Sequence, residues 1–122
     1  MKMNISAAEM EIMRIIWDLN RKVTTRELCE RLPEKKLTTI STLAGRLIDK
    51  GVLRSEKIGR SHAHEYEAIM SEEEYQRGQT KDFVTNVYRG SSTSLISALF
   101  KDDGLSKDDV TELRKLIDEM GE

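Results

Sequence analysis

With 122 residues, 38% of them hydrophobic and 34% charged, the chain has a soluble globular balance and room for one ordinary domain, or a small domain with an appendage. No run approaches the roughly 18–20 apolar residues of a membrane span, and the single cysteine, Cys29, excludes an internal disulfide and a multi-thiolate metal site. The net charge of −2 conceals an asymmetry, +3 over residues 1–70 and −5 over 71–122, and residues 31–60 hold eight basic against three acidic side chains, the local excess that attraction to phosphate requires.

Met1 to Ser6 show no secretory leader, so a cytoplasmic protein without membrane insertion is expected. Four helix starts then carry one signature, a hydroxyl followed three positions later by an acid: Ser6/Glu9, Thr24/Glu27, Ser71/Glu74 and Ser106/Asp109. The hydroxyl accepts from an early helix N–H while the acid reaches back, satisfying two orphan donors. A first helix is predicted over about residues 7–19, with Met10, Met13, Ile16 and Trp17 on one face. A second covers about 25–32, buries Leu28 and Leu32, and stops at Pro33. A third covers about 39–50, with Ile40, Leu43, Ala44, Leu47 and Ile48 on one side and Gly51 as the left-handed terminator.

After Gly51 the pattern changes. Residues 52–58 and 63–69 mix β-branched, aromatic and charged residues around Gly59-Arg60-Ser61-His62, which reads as a hairpin with a four-residue turn. From Ser71 the chain reads as helix again, over about 71–89, 92–101 and 106–120, broken at Gly90-Ser91 and Asp103-Gly104.

Three short helices followed by a hairpin give the expected fold: mainly α with a small β-hairpin. It comprises a winged helix-turn-helix domain over residues 1–70 and a C-terminal helical dimerisation domain over 71–122. The tail of 52 residues is too short to sustain its own core. It presents Phe83, Val84, Val87, Tyr88, Leu95, Ile96, Leu99, Leu113, Leu116 and Ile117 as dimerisation candidates. A second copy packed about a two-fold axis is the simplest way to cover them; the alternative is that the tail folds back on its own N-terminal domain.

On a helical wheel with Ile40 pointing inward, Thr38, Ser41, Thr42, Gly45, Arg46 and Asp49 of the third helix fall on the outward side. Short hydroxyls suit base edges, a glycine permits close backbone approach, and an arginine can clamp a phosphate. With Thr39 and Lys50, and with Arg60, Ser61 and His62 at the hairpin tip, these form the candidate surface for double-stranded DNA. The absence of glutamate from residues 35–48 favours that reading over an ordinary solvated helix face.

His62 and His64 share a strand face, but no third ligand accompanies them, so no metal and no cofactor are expected. Cys29 reads as a small semi-buried residue. Glu72, Glu73, Glu74, Asp108 and Asp109 sit in first helical turns, where the macrodipole favours them. With no catalytic triad, no phosphate-binding glycine loop and no carboxylate pair in an apolar setting, no enzyme is expected.

These residues also resemble a known family. Ser6-Ala7-Ala8-Glu9 leading to Ile12-Met13-Arg14-Ile15-Ile16-Trp17, then Thr39-Ile40-Ser41-Thr42-Leu43 with Arg46-Leu47, and Lys50-Gly51-Val52-Leu53, are similar to the BlaI/MecI penicillinase repressors, a family that includes the copper-responsive CopY repressors. Phe83 to Gly90 and Ser94-Leu95-Ile96 resemble the start and middle of that family's dimerisation domain. The resemblance implies a homodimeric repressor on an inverted-repeat operator. It further implies release by proteolysis within the dimerisation helices, once an antibiotic-sensing, sensor-linked membrane protease is activated. Better-known members carry an Asn-Phe cleavage junction; the matching segment here is Ser97-Ala98-Leu99-Phe100, so the corresponding cleavage candidates are Ala98, Leu99 and Phe100. The four-cysteine C-terminal cluster of the copper-responsive members is absent, which excludes copper sensing through that motif. Two rival readings stand beside this one. One is a winged-helix regulator released by a small effector bound between domains; the other is a winged-helix protein-interaction module that does not bind DNA.

Overall fold

The computed structural model describes residues 4–59, 63–101 and 104–121, in two units, Met1–Arg77 and Gly78–Glu122. In the first unit α1 (Ala7–Leu19) opens on a complete capping box: the Ser6 hydroxyl accepts from the Glu9 amide at 3.2 Å, and Glu9 accepts from the Ser6 amide at 2.8 Å. The helix ends where Asn20 turns left-handed, with φ of 51°, a conformation a short polar side chain tolerates. Thr24 and Glu27 form a second complete box at the start of α2 (Thr25–Arg31). Then α3 (Leu37–Asp49) begins two residues earlier than the sequence predicts, from Lys36, whose side chain makes no capping hydrogen bond. Its end is a Schellman turn, in which the Gly51 amide donates to the Ile48 carbonyl and the Val52 amide to the Leu47 carbonyl.

Those three helices close over one core. Ile12, Met13 and Ile16 of α1, Leu28 of α2, and Ile40, Leu43, Ala44 and Leu47 of α3 meet Val23, Val52, Leu53 and Tyr66. Leu53 and Tyr66 belong to the hairpin strands β2 (Leu53–Lys57) and β3 (His64–Ala68). A further strand, β1 (Val23–Thr24), pairs antiparallel with β3, so the sheet has three strands in the order β1-β3-β2 rather than two. The sequence pattern does not reveal it because two residues carry no period. Thr24 is strand and helix cap at once, while Val23 is fully buried opposite Tyr66.

One ion pair fastens the ends of α1 and α3 together. The Lys50 ammonium lies 2.5 Å from Glu9 Oε1 and 2.6 Å from the Asn4 carbonyl, with the Glu9 side chain only 2% exposed. Burial pushes the Glu9 carboxyl up, but the hydrogen bonds from Lys50 and the Ser6 amide, with the Lys50 charge, outweigh it and hold it below its ordinary value.

The first turn of α4 (Glu72–Val87) also belongs to the first unit. Trp17 Nε1 donates to the Met70 carbonyl at 2.9 Å, the Tyr75 hydroxyl accepts from the Ile5 amide at 3.3 Å, and the two rings lie 6.1 Å apart. The first compact unit accordingly runs to Arg77.

The second unit contains the rest of α4, α5 (Ser92–Lys101) and α6 (Lys107–Met120), the last opened by the Ser106/Asp109 capping box. None of its described residues is buried. Phe83, Val87, Ile96, Leu99, Phe100, Leu116, Ile117 and Met120 are exposed, and Val84, Tyr88, Leu95, Ala98 and Leu113 are half-buried. Ile96, Leu99, Leu105, Leu113 and Leu116 line a groove of about 320 Å³ within this unit. Among the described residues no helix is long and apolar enough to cross a membrane.

Candidate nucleic-acid interface

The burial of α3 divides it along its length. Ile40, Leu43, Ala44 and Leu47 face the core; Leu37, Thr38, Thr39, Ser41, Thr42, Arg46 and Asp49 are exposed, and Gly45 is half-buried. The outward residues therefore stand where the helical wheel puts them, with Thr39 beside them. Not all of their hydroxyls are equally available. Thr42 Oγ1 donates to the Thr38 carbonyl at 2.9 Å, so its proton is already engaged and what it offers on this face is an acceptor and a methyl group.

Gly45 lies in the middle of that face. A Cβ built there meets nothing within 4 Å, and its φ is not positive. Neither crowding nor backbone conformation within the chain accounts for the glycine, which costs a helix interior about 0.5–1 kcal/mol against alanine.

The charges sort just as sharply. Of the basic residues in 31–60, Lys35 pairs with Glu11 at 3.7 Å, Lys50 with Glu9, and Arg54 with Glu67. The Arg54 guanidinium holds the Glu67 carboxyl below its ordinary value. Among the described residues Arg31, Lys36, Arg46 and Lys57 have no acid partner, and all four are exposed. Lys36 and Arg46 flank the outward face of α3, and Lys57 ends β2 at the approach to the hairpin turn. Outside this stretch Arg21 grips Glu27 through two hydrogen bonds, at 3.1 and 2.6 Å, and with the Thr24 amide brings its carboxyl down to about 2.

Lys50, another sequence candidate, is engaged within the chain. Its ammonium is directed at Glu9 and the Asn4 carbonyl, an intramolecular pair between residues 41 positions apart that no local pattern reveals. Arg60, Ser61 and His62 lie outside the described residues. His64 is half-buried, its ring stacked on Tyr66 at 6.4 Å and its Nδ1 buried with no hydrogen-bond partner among the described residues. Among the described residues no group of three acids, histidines or cysteines could hold a metal ion. Sequence reasoning also passes over Lys36 and Leu37, because it begins the helix two residues too late.

With this geometry established, comparison with known proteins is informative across nearly the whole chain. The penicillinase repressor family matches residues 5–119. The penicillinase repressor of Bacillus licheniformis is 30% identical over 118 residues, covering 94% of this chain and 90% of that protein. The methicillin resistance regulatory protein MecI of Staphylococcus aureus (strain N315) is 30% identical over 116 residues, 93% of this chain and 92% of that one. An uncharacterized 16.5 kDa protein of Latilactobacillus sakei is 34% identical over 116 residues, 93% of this chain and 77% of that one.

Proposed function

The chain belongs to the penicillinase repressor family and is a transcriptional repressor, and from that premise we propose that it is a homodimer that lays α3 into the major groove of an inverted-repeat operator. The observation that carries this reading is the outward face of α3. Its residues from Thr38 to Arg46 are hydroxyls, a bare glycine and an arginine with no acid partner among the described residues, and no acid precedes Asp49. Arg46 and Lys36 engage phosphates, Ser41, Thr38, Thr39 and Thr42 meet base edges, and Gly45 lets the backbone approach. Lys57 and the hairpin tip serve the neighbouring groove or backbone. The relatives' names make antibiotic-resistance genes the first targets to test.

Dimerisation falls to the uncovered apolar residues of α4, α5 and α6. Release follows from a cut by a sensor-linked membrane protease at Ala98, Leu99 or Phe100. These residues sit in the last turns of α5, where helix ends fray and admit a protease most readily. Such a cut separates α6, with Leu113, Leu116 and Ile117, from the DNA-reading unit.

Duplex binding measured against salt tests the reading. The log–log slope should contribute about −0.9 for each phosphate neutralised, and two heads each using Lys36, Arg46 and Lys57 should give a slope of roughly −5. Absence of binding to genomic fragments at low salt would favour a winged helix that docks proteins instead. A second reading also has an observation behind it: a cavity of about 350 Å³ in the first unit, lined by Trp17, Arg21, Glu67, Met70 and Glu74 among others. It has the size for a small effector, and release of operator DNA by a small molecule without chain cleavage would select it.

A further inference from the structure

We infer that Leu37 reads the C5-methyl group of a thymine in the operator, an inference that rests on the major-groove docking of α3 proposed above. Leu37 is 58% exposed, and among the described residues of the first unit it and Ile69 are the only large hydrophobic side chains left so open. It occupies the first helical position of α3, the end that a recognition helix points at base edges.

The turn around it is unlike the starts of α1, α2 and α6. Each of those has a hydroxyl cap and an acid in its first turn. At the start of α3 there is no side-chain cap and no acid. The first N–H groups of the helix therefore have no side-chain cap, and beside them stand an apolar side chain and Lys36, which has no acid partner among the described residues. Such a mixture suits a surface offering acceptors and one apolar group. On the major-groove edge of DNA the only apolar group is the thymine methyl, and it stands next to the O4 acceptor. Ser41 lies one helical turn from Leu37 on the same side and is exposed. Its hydroxyl can donate to O4 while Leu37 covers the methyl.

The test uses the full chain and a duplex selected by it from a random pool. Each thymine of the selected sequence is replaced in turn by deoxyuridine, which removes the methyl and leaves every hydrogen-bonding group in place. One thymine in each half-site should lose about fourfold in affinity per methyl on replacement. Leu37→Ala should bind the thymine and deoxyuridine duplexes equally at that position, and Leu37→Met should keep the discrimination. If Leu37→Ala still discriminates, or if no thymine responds, the inference is overturned while DNA docking stands. A Leu37→Ala loss that is equal on all sequences would mean that the side chain packs on the sugar backbone, and also overturns it. Failure of the wild-type chain to select any duplex would overturn the docking proposal together with this one.

Discussion

Replacing Gly45 with alanine should move stability and DNA affinity in opposite directions. The added methyl group meets nothing within 4 Å and the backbone is ordinary helix, so the fold gains the helix-propensity difference, about 0.5–1 kcal/mol. For a unit of this size that corresponds to a rise in Tm of roughly 2–8 °C. On the outward face of the proposed complex the same methyl stands where the duplex comes closest. Holding the helix off the groove floor should forfeit a base contact at about 1–3 kcal/mol, a loss of roughly fivefold to 150-fold. Thermal unfolding and a binding titration on one protein preparation read both quantities. A variant that is more stable and binds DNA as tightly as the wild type would refute close approach at the middle of α3. A less stable variant would refute the open surroundings assigned to Gly45.

Three further outcomes are expected. Lys50→Met leaves the buried Glu9 carboxyl with Ser6 as its remaining partner and should destabilise the first unit by about 1–3 kcal/mol, less than the roughly 3–5 kcal/mol of a fully buried broken pair because a third of the Lys50 side chain is in water. In the wild type the Glu9 carboxyl is depressed, so its contribution is present above the unfolded carboxylate value, about 4.3, and is lost as pH falls through the folded one; in the variant burial acts with less opposition, and urea unfolding from pH 3 to 7 should show a weaker acid slope, an unchanged slope contradicting the assignment. Arg46→Ala should weaken binding to all duplexes alike and make the salt slope shallower by about 0.9 per head, whereas Ser41→Ala should change which base pairs are preferred; the opposite pattern in a selection experiment would mean that α3 docks with Arg46 on the bases and Ser41 on the backbone. A chain ending at Ala98 loses α6 and should sediment as a monomer with an intact first unit, and a truncated chain that stays dimeric would rule out cleavage there as the switch.

The parts of this fold that sequence reveals are those settled within a few neighbouring residues. The cap Ser6 with Glu9 places the start of α1, Gly51 places the end of α3, and the spacing Ile40, Leu43, Ala44, Leu47 identifies the buried face and by subtraction the outward one. What escapes is decided over longer distances. Val23 and Thr24 become a strand only because Tyr66 and Glu65 lie alongside. The first turn of α4 joins the first unit because Trp17 and Ile5 hold Met70 and Tyr75. Counting charges along residues 31–60 weights Lys50 equally with Arg46, yet one neutralises a buried acid and the other faces solvent. The start of α3 is misplaced in the sequence pattern because the helix begins on Lys36 without a side-chain cap, so no capping signature marks it.

The central claim, a repressor that grips DNA with two linked copies of α3, is tested most directly by comparing a selected inverted repeat with its isolated half-site. Sedimentation gives the number of chains per duplex, and titration at one salt concentration gives the two affinities. Two chains on the full repeat, with affinity about 10²- to 10⁴-fold above the half-site, is the predicted result. One chain per duplex, with equal affinity for repeat and half-site, would contradict it.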